Sequence, residues 1–279
     1  MSFSTRPLKR AIPQPLAPFA QAVYHALYRS YLPVAFWFAD RLAASRSDVP
    51  IPPANLRFRV TEQTSAASFL RIGEGCWLHI AQEMDQLGVD ISGARRVLDF
   101  GCGCGRTIRW FLKPGVSTEF HGADVDRDAI AWCQINLPAG HFIVNSADPP
   151  LPYPAGHFDI VYCFSVFTHL DEAMQDAWLA ELHRILTPGG ILLLTVHGDT
   201  ASQALPAEDR ELLRARGFVH RRSPKLRGLM PDWYQTTWHS EEYIVKRLSA
   251  RFTDIRYHVI ADGMQDIVVA RKTVPPSNL

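Results

Sequence analysis

Val97-Leu98-Asp99-Phe100-Gly101-Cys102-Gly103-Cys104-Gly105-Arg106 holds the densest chemistry in this chain of 279 residues. Glycines at alternate positions behind a short apolar run let the backbone come close to a ligand at a helix start. The dinucleotide fingerprint spaces its glycines Gly-x-Gly-x-x-Gly. Here they fall at Gly101, Gly103 and Gly105, with Asp99 two residues ahead of the first. An acid at that point repels a pyrophosphate but suits an ammonium or sulfonium group, so a nicotinamide oxidoreductase is disfavoured.

A second acid stands in Gly122-Ala123-Asp124-Val125-Asp126, 25 positions after Asp99. At the tip of a second strand, Asp124 is placed to accept hydrogen bonds from both hydroxyls of a ribose. Each such bond to an ionised acceptor contributes roughly 1.5 to 3 kcal/mol. Val125 is assigned to the same ligand, and Asp126 either shares the ribose role or caps a helix beginning near Asp128. Three histidines are candidate bases: His169 in Ser165-Val166-Phe167-Thr168-His169-Leu170, His197 in Thr195-Val196-His197-Gly198, and His239. His197 leads, because it ends a strand at the sheet edge where open α/β folds bind ligands. Phe164 and Phe167 either flank a ligand or pack in the core.

The pattern Asp-x-Gly-x-Gly-x-Gly after an apolar strand resembles the first motif of class I, Rossmann-like, S-adenosylmethionine-dependent methyltransferases. The resemblance implies that Asp99 helps to hold the amino-acid end of the cofactor while Gly101 and Gly103 make room for it. Asn145-Ser146-Ala147-Asp148 follows the third strand, where this family places an acid or amide near adenine. Either Asp148 takes that role one position late or Asn145 substitutes. Leu151-Pro152-Tyr153-Pro154 resembles the segment before the fourth strand, and the loop containing Phe164 then faces the transferred methyl. Asp148-Pro149-Pro150 is no base-methylation motif, since it precedes strand four and continues into Leu151.

Ile51-Pro52-Pro53, Leu56-Arg57, the Ser165–Leu170 loop and Tyr234-Gln235-Thr236-Thr237-Trp238-His239-Ser240-Glu241-Glu242-Tyr243 look like a bacterial subgroup that modifies glycans or secondary metabolites. A complete cofactor pattern without a base-methylation motif or metal cluster makes O-methylation of a small molecule or saccharide the expected activity. A non-catalytic cofactor-binding scaffold, or N-methylation of a small molecule or protein, stands as the alternative.

The elements that must position these residues are read from periodicity. Apolar β-branched runs predict strands over 96–100, 118–124, 142–145, 158–164, 190–196, 251–260 and 264–271. Helices are expected over 107–112, 128–137 and 171–186, the last ended by Thr187-Pro188-Gly189-Gly190. Alternating strands and helices imply a doubly wound, seven-stranded, mostly parallel α/β sheet. Its last two strands form an antiparallel hairpin through Ala261-Asp262-Gly263.

Upstream, residues 1–50 divide into a basic, Pro-rich tail and an amphipathic helix over 19–42, kinked at Pro33. Ser47 to Asn55 reads as a linker. Residues 65–87 read as a helix interrupted at Gly73-Glu74-Gly75, and the catalytic domain spans 51–274. Residues 199–240 form an insertion rich in Arg214, Arg216, Arg221, Arg222, Lys225 and Arg227, read either as a lid that suits an anionic or sugar-like acceptor or as a solvated basic loop.

Lys and Arg number 29 against 28 Asp and Glu, so nucleic acid is not the expected partner. The cysteines Cys76, Cys102, Cys104, Cys133 and Cys163 lack zinc or disulfide spacing, and no metal is expected. They point to a reducing, cytoplasmic setting. The most apolar stretch, 31–39, is too short to span a bilayer, leaving a peripheral membrane contact through the 19–42 helix as an expected mode.

Overall fold

Side chains on a strand alternate between faces, and here both faces are apolar, as a sheet covered by helices on both sides requires. The computed structural model describes residues 30–42, 50–221, 235–260 and 265–274. Its strands are β1 (Arg96–Phe100), β2 (Glu119–Asp124), β3 (His141–Val144), β4 (Phe158–Cys163), β5 (Leu186–Val196), β6 (Phe218–Arg221), β7 (Thr236–His239), β8 (Phe252–His258) and β9 (Asp266–Lys272). Seven form one sheet in the order β3-β2-β1-β4-β5-β9-β8, and β6 and β7 pair separately. The first five strands of the large sheet run parallel, and β9 is antiparallel to both β5 and β8. This is the expected fold. The strand order reverses between β1 and β4, which opens a crevice at their carboxyl ends.

The helices are α1 (residues 30–42), α2 (Ala54–Thr61), α3 (Ala66–Gln86), α4 (Arg127–Asn136), α5 (Glu172–Ile185), α6 (Asp199–Ser202), α7 (Ala207–Arg216) and α8 (Glu241–Ser249). Val97, Ile160, Tyr162, Leu193 and Val269 face α3 and α4, packing with Ile80, Met84 and Ile130. Leu98, Phe100, Val161, Leu194 and Val268 face α5 and α8, packing with Trp178, Leu182 and Ile244. Caps start the helices where the sequence supplies them. Asp126 accepts from the N–H groups of Asp128 and Ala129 ahead of α4, and Asp171 accepts from Met174 N ahead of α5.

Several expectations are corrected. Residues 107–112 do not form a helix, only a 3₁₀ turn over Ile108–Trp110. Arg109 Nε takes the Gly105 carbonyl at 3.0 Å, and Pro114 forbids continuation by clashing with the turn before it. α3 runs unbroken through Gly73 and Gly75. α2 begins inside the expected linker, after Pro53. β5 starts at Leu186 and carries Thr187-Pro188-Gly189-Gly190 within it, with a register shift against β4 and Gly189 at φ 77°. α1 runs through Pro33 without a break, while 19–29 lie outside the described residues.

The 199–240 insertion contains α6, α7 and the β6–β7 ribbon rather than loop alone, and α8 follows it. Arg222, Lys225, Arg227 and the 261–263 turn lie outside the described residues. On α1, Tyr31, Val34, Trp37, Phe38 and Leu42 are exposed. Among the described residues no helix is long and apolar enough to cross a membrane.

Candidate functional site

The end of β1 leads into Gly101, Gly103 and Gly105, all at positive φ (79°, 53° and 72°), where any other residue is strained. Space is short as well. A Cβ on Gly101 would overlap Val166 of the loop after β4, one on Gly103 would overlap Val60 of α2, and one on Gly105 would overlap Leu137. The turn is therefore pressed between three neighbours, with Val166 bridging the crevice from the β4 side.

Asp99 is buried, and its Oδ2 takes no hydrogen bond. Burial pushes its carboxyl up to about 7, against the pull of the Tyr162 phenol and the Arg106 guanidinium. The Arg106 guanidinium is turned toward the Val60 carbonyl, at 2.6 Å. A buried acid with one oxygen free of protein donors below a glycine turn is chemistry that a cationic ligand, such as the ammonium or sulfonium of S-adenosylmethionine, would complete.

Asp124 ends β2 with one oxygen 2.7 Å from Gly103 N and the other 2.8 Å from Asp126 N. The carboxylate is thereby oriented by the same turn that it borders. Burial raises it to about 6, opposed by those backbone donors. Val125 is half-buried beside it. Asn145 follows β3, tied by its N–H to the Asp124 carbonyl at 3.0 Å, and its side-chain Oδ1 is buried without a partner. Asp148 is exposed in the next loop, while the Ala147 carbonyl is held by Trp178 Nε1 at 3.0 Å. Of the two residues offered for the adenine end, only Asn145 adjoins Asp124. Phe164 is partly buried against the α3 side of the core, and Phe167 is fully buried.

The histidines separate clearly. His197 ends β5, with Nδ1 3.0 Å from the Thr237 carbonyl. A carbonyl only accepts, so Nδ1 carries the proton and Nε2 presents a lone pair. Burial lowers its pKa. His169 likewise donates from Nδ1 to the Gln235 carbonyl at 2.6 Å, and burial takes it down to about 4.

His239 is wholly buried. Gln175 spends its Nε2 on the carbonyls of Phe167 and Leu170, so its Oε1 accepts from His239 Nε2 at 3.0 Å. Burial brings His239 to about 3. That placement makes His239 a tie between the ribbon and the β4 loop, which corrects its reading as a base. The ribbon itself sits on the carboxyl edge of the sheet, through His239 N to the His197 carbonyl at 2.9 Å and Thr237 N to the Thr168 carbonyl at 2.8 Å. Arg221, one of the basic residues of the insertion, is paired with Asp209.

Two groups of residues escaped the sequence. One is the α2 cover: Val60 on Gly103, and Arg59 Nη1 on Asp126 at 2.8 and 2.9 Å. The other is Ser165, Thr195 and Gln265, three polar residues from neighbouring strand ends that bond to one another. Neither carries a local pattern, since the partners lie 30 to 100 positions apart.

Residues 97–190 match a family model described as a methyltransferase domain. An uncharacterized methyltransferase of Synechocystis is 30% identical over 104 residues, covering 37% of this chain and 48% of that protein. A malonyl-[acyl-carrier protein] O-methyltransferase of Enterobacter lignolyticus is 30% identical over 163 residues, covering 56% and 61% respectively. The chain thus spans about half the length of these curated relatives. The crystal structure of an S-adenosylmethionine-dependent methyltransferase from Mesorhizobium loti shares the fold, with TM-score 0.51 and 17% identity over 67% of this chain and 95% of that one. The glycine turn, Asp99 and Asp124 thus lie on the sheet edge of a seven-stranded α/β fold shared with S-adenosylmethionine-dependent methyltransferases, and residues 97–190 within it are similar to a methyltransferase domain.

Proposed function

We propose that the protein methylates an oxygen of a small-molecule acceptor, a saccharide included, with His197 as general base. The observation that carries this is the His197 tautomer: Nδ1 is committed to the Thr237 carbonyl, so a lone pair on Nε2 is offered at the edge of β5. Bound S-adenosylmethionine supplies an activated methyl group, whose carbon–sulfur bond pair returns to sulfur as the new carbon–oxygen bond forms. The chain itself supplies alignment and proton acceptance. Val166 on Gly101 fixes the β4 loop against the cofactor turn. The ribbon covers the edge at His197, where Trp238 lies 5.8 Å from the imidazole. A relative named as an O-methyltransferase supports oxygen as the acceptor atom.

The test is an acceptor screen read by S-adenosylhomocysteine formation. The active acceptor is then repeated with His197→Ala. Turnover is expected to fall by roughly 10²- to 10⁴-fold, the usual worth of a general base, at unchanged cofactor affinity. Full activity in that variant removes His197 as base. Cofactor binding with no product from any acceptor favours a binding or scaffold role.

A further inference from the structure

Ser165 adopts φ 62°, a left-handed conformation that a non-glycine residue holds only when its surroundings impose it. What imposes it is a hydrogen-bond network at the carboxyl edge. Ser165 N lies 2.8 Å from Thr195 Oγ1, Thr195 Oγ1 lies 2.6 Å from Gln265 Oε1, and Ser165 Oγ lies 3.0 Å from Gln265 Oε1 and 2.8 Å from Gln265 Nε2. Thr195 Oγ1 accepts from Ser165 N, which can only donate, and gives its own proton to Gln265 Oε1. Nε2 then donates one hydrogen to Ser165 Oγ, whose own proton goes to Oε1. One N–H of Gln265 is left over.

The leftover donor has a counterpart. β5 and β9 pair as far as Val196 opposite Asp266, where β9 begins, and continuing that register by one step sets Gln265 beside His197. Opposite positions in an antiparallel register project to the same face. The bond from Thr195, two residues before His197, to Gln265 agrees with that placement. The neighbouring acid does not compete as a base. Asp266 accepts from the Tyr257 hydroxyl at 2.7 Å and from Ile260 N at 3.2 Å.

We infer that Gln265 selects the acceptor: its unspent amide N–H and the Nε2 lone pair of His197 together grip a hydroxyl, so the acceptor is an alcohol or phenol rather than a carboxylate or an amine. This rests on the reading of His197 as base. A hydroxyl oxygen has two lone pairs, one for the Gln265 N–H and one for the incoming methyl, and a proton for His197. A neutral amine has a single lone pair, which the methyl requires. A carboxylate has no proton to give, and it would face the imidazole lone pair.

The experiment uses full-length protein with ¹⁵N-labelled glutamine, saturated with S-adenosylhomocysteine. The Gln265 side-chain amide signals are identified by their loss in Gln265→Glu. Phenol, benzoate and aniline are then added in equal millimolar excess. Phenol is expected to shift one of the two amide protons, and benzoate and aniline to leave both in place. Equal shifts from benzoate or aniline, or none from phenol, overturn the inference.

In parallel, Gln265→Met and Gln265→Glu are compared with the parent using the best hydroxyl acceptor from the screen. Both remove the donor, and Glu keeps an oxygen for Thr195. A loss of roughly tenfold in kcat/KM, the scale of one hydrogen bond, with S-adenosylhomocysteine affinity within twofold, is expected in both. Unchanged kcat/KM in either variant overturns the assignment. A phenol shift without turnover on any acceptor would keep the Gln265 site and reject the proposed function.

Discussion

Asp99 and Asp124 are both buried acids at strand ends, yet their surroundings differ. Asp124 is oriented by two backbone donors, whereas Asp99 has an oxygen with no partner. Burial raises both, to about 6 and about 7. A cofactor that gives hydroxyl hydrogens to one and positive charge to the other binds best when both are ionised. Its affinity should therefore rise from about pH 5.5 to about 8 and level off above, measured by calorimetry. Asp124→Ala should weaken binding at least tenfold, on the scale of one charge-assisted bond lost. Unchanged affinity in that variant would remove Asp124 from the site. Both acids were legible in the sequence because each lies within a few residues of its glycines or strand tip. Gln265 was not, because the residue that orients it, Ser165, is 100 positions away and only the sheet brings them together.

At the scale of the element, α3 explains why a helix tolerates two glycines. A Cβ on Gly73 would overlap the backbone carbonyl of Arg106, the residue that ends the cofactor motif, whereas one on Gly75 would meet nothing within 4 Å. Alanine is the better helix former by about 1 kcal/mol. Gly75→Ala should raise the thermal midpoint. Gly73→Ala should lower it and weaken cofactor binding, since the clash is with main chain rather than a side chain that could turn away. A stabilised Gly73→Ala protein would contradict this packing. From the sequence the pair reads as a helix interruption, because nothing local reveals that another backbone passes over one of them. The insertion was hidden in the same way. Its strands have only four residues each, and their pattern gains meaning only from the edge of β5 on which they rest.

For the whole molecule, the strand pattern and helix periods made the fold readable, while the acid–base balance of the interior was not. His121, His169 and His239 are held below their usual 6.5, at about 4, 4 and 3, chiefly by burial. Below pH 6.5 the unfolded chain takes protons that the fold refuses, so these groups lose stability as pH falls toward 4. Asp99 and Asp124 act in the opposite sense. The fold keeps their protons up to about 7 and 6, while the unfolded chain sheds them near 3.8, so their contribution declines as pH rises through that window. These three histidines, with His157, His183 and His197 lowered by burial in the same sense, outweigh the two carboxyls and leave a net loss on acidification. The thermal midpoint of the cofactor-free protein should drop between about pH 6.5 and about 4.5, and more steeply in Asp99→Asn/Asp124→Asn, where the opposing pair is gone. A shallower drop in that double variant would refute the balance. The seating of α2 across the glycine turn bears on time as well as affinity. With Val60 on Gly103, Arg59 on Asp126 and Arg106 on the Val60 carbonyl, α2 is tied across the turn, and a spent cofactor is expected to leave only as fast as that roof lifts. Salt that loosens the Arg59–Asp126 pair is then expected to speed release, some distance from any atom that reacts.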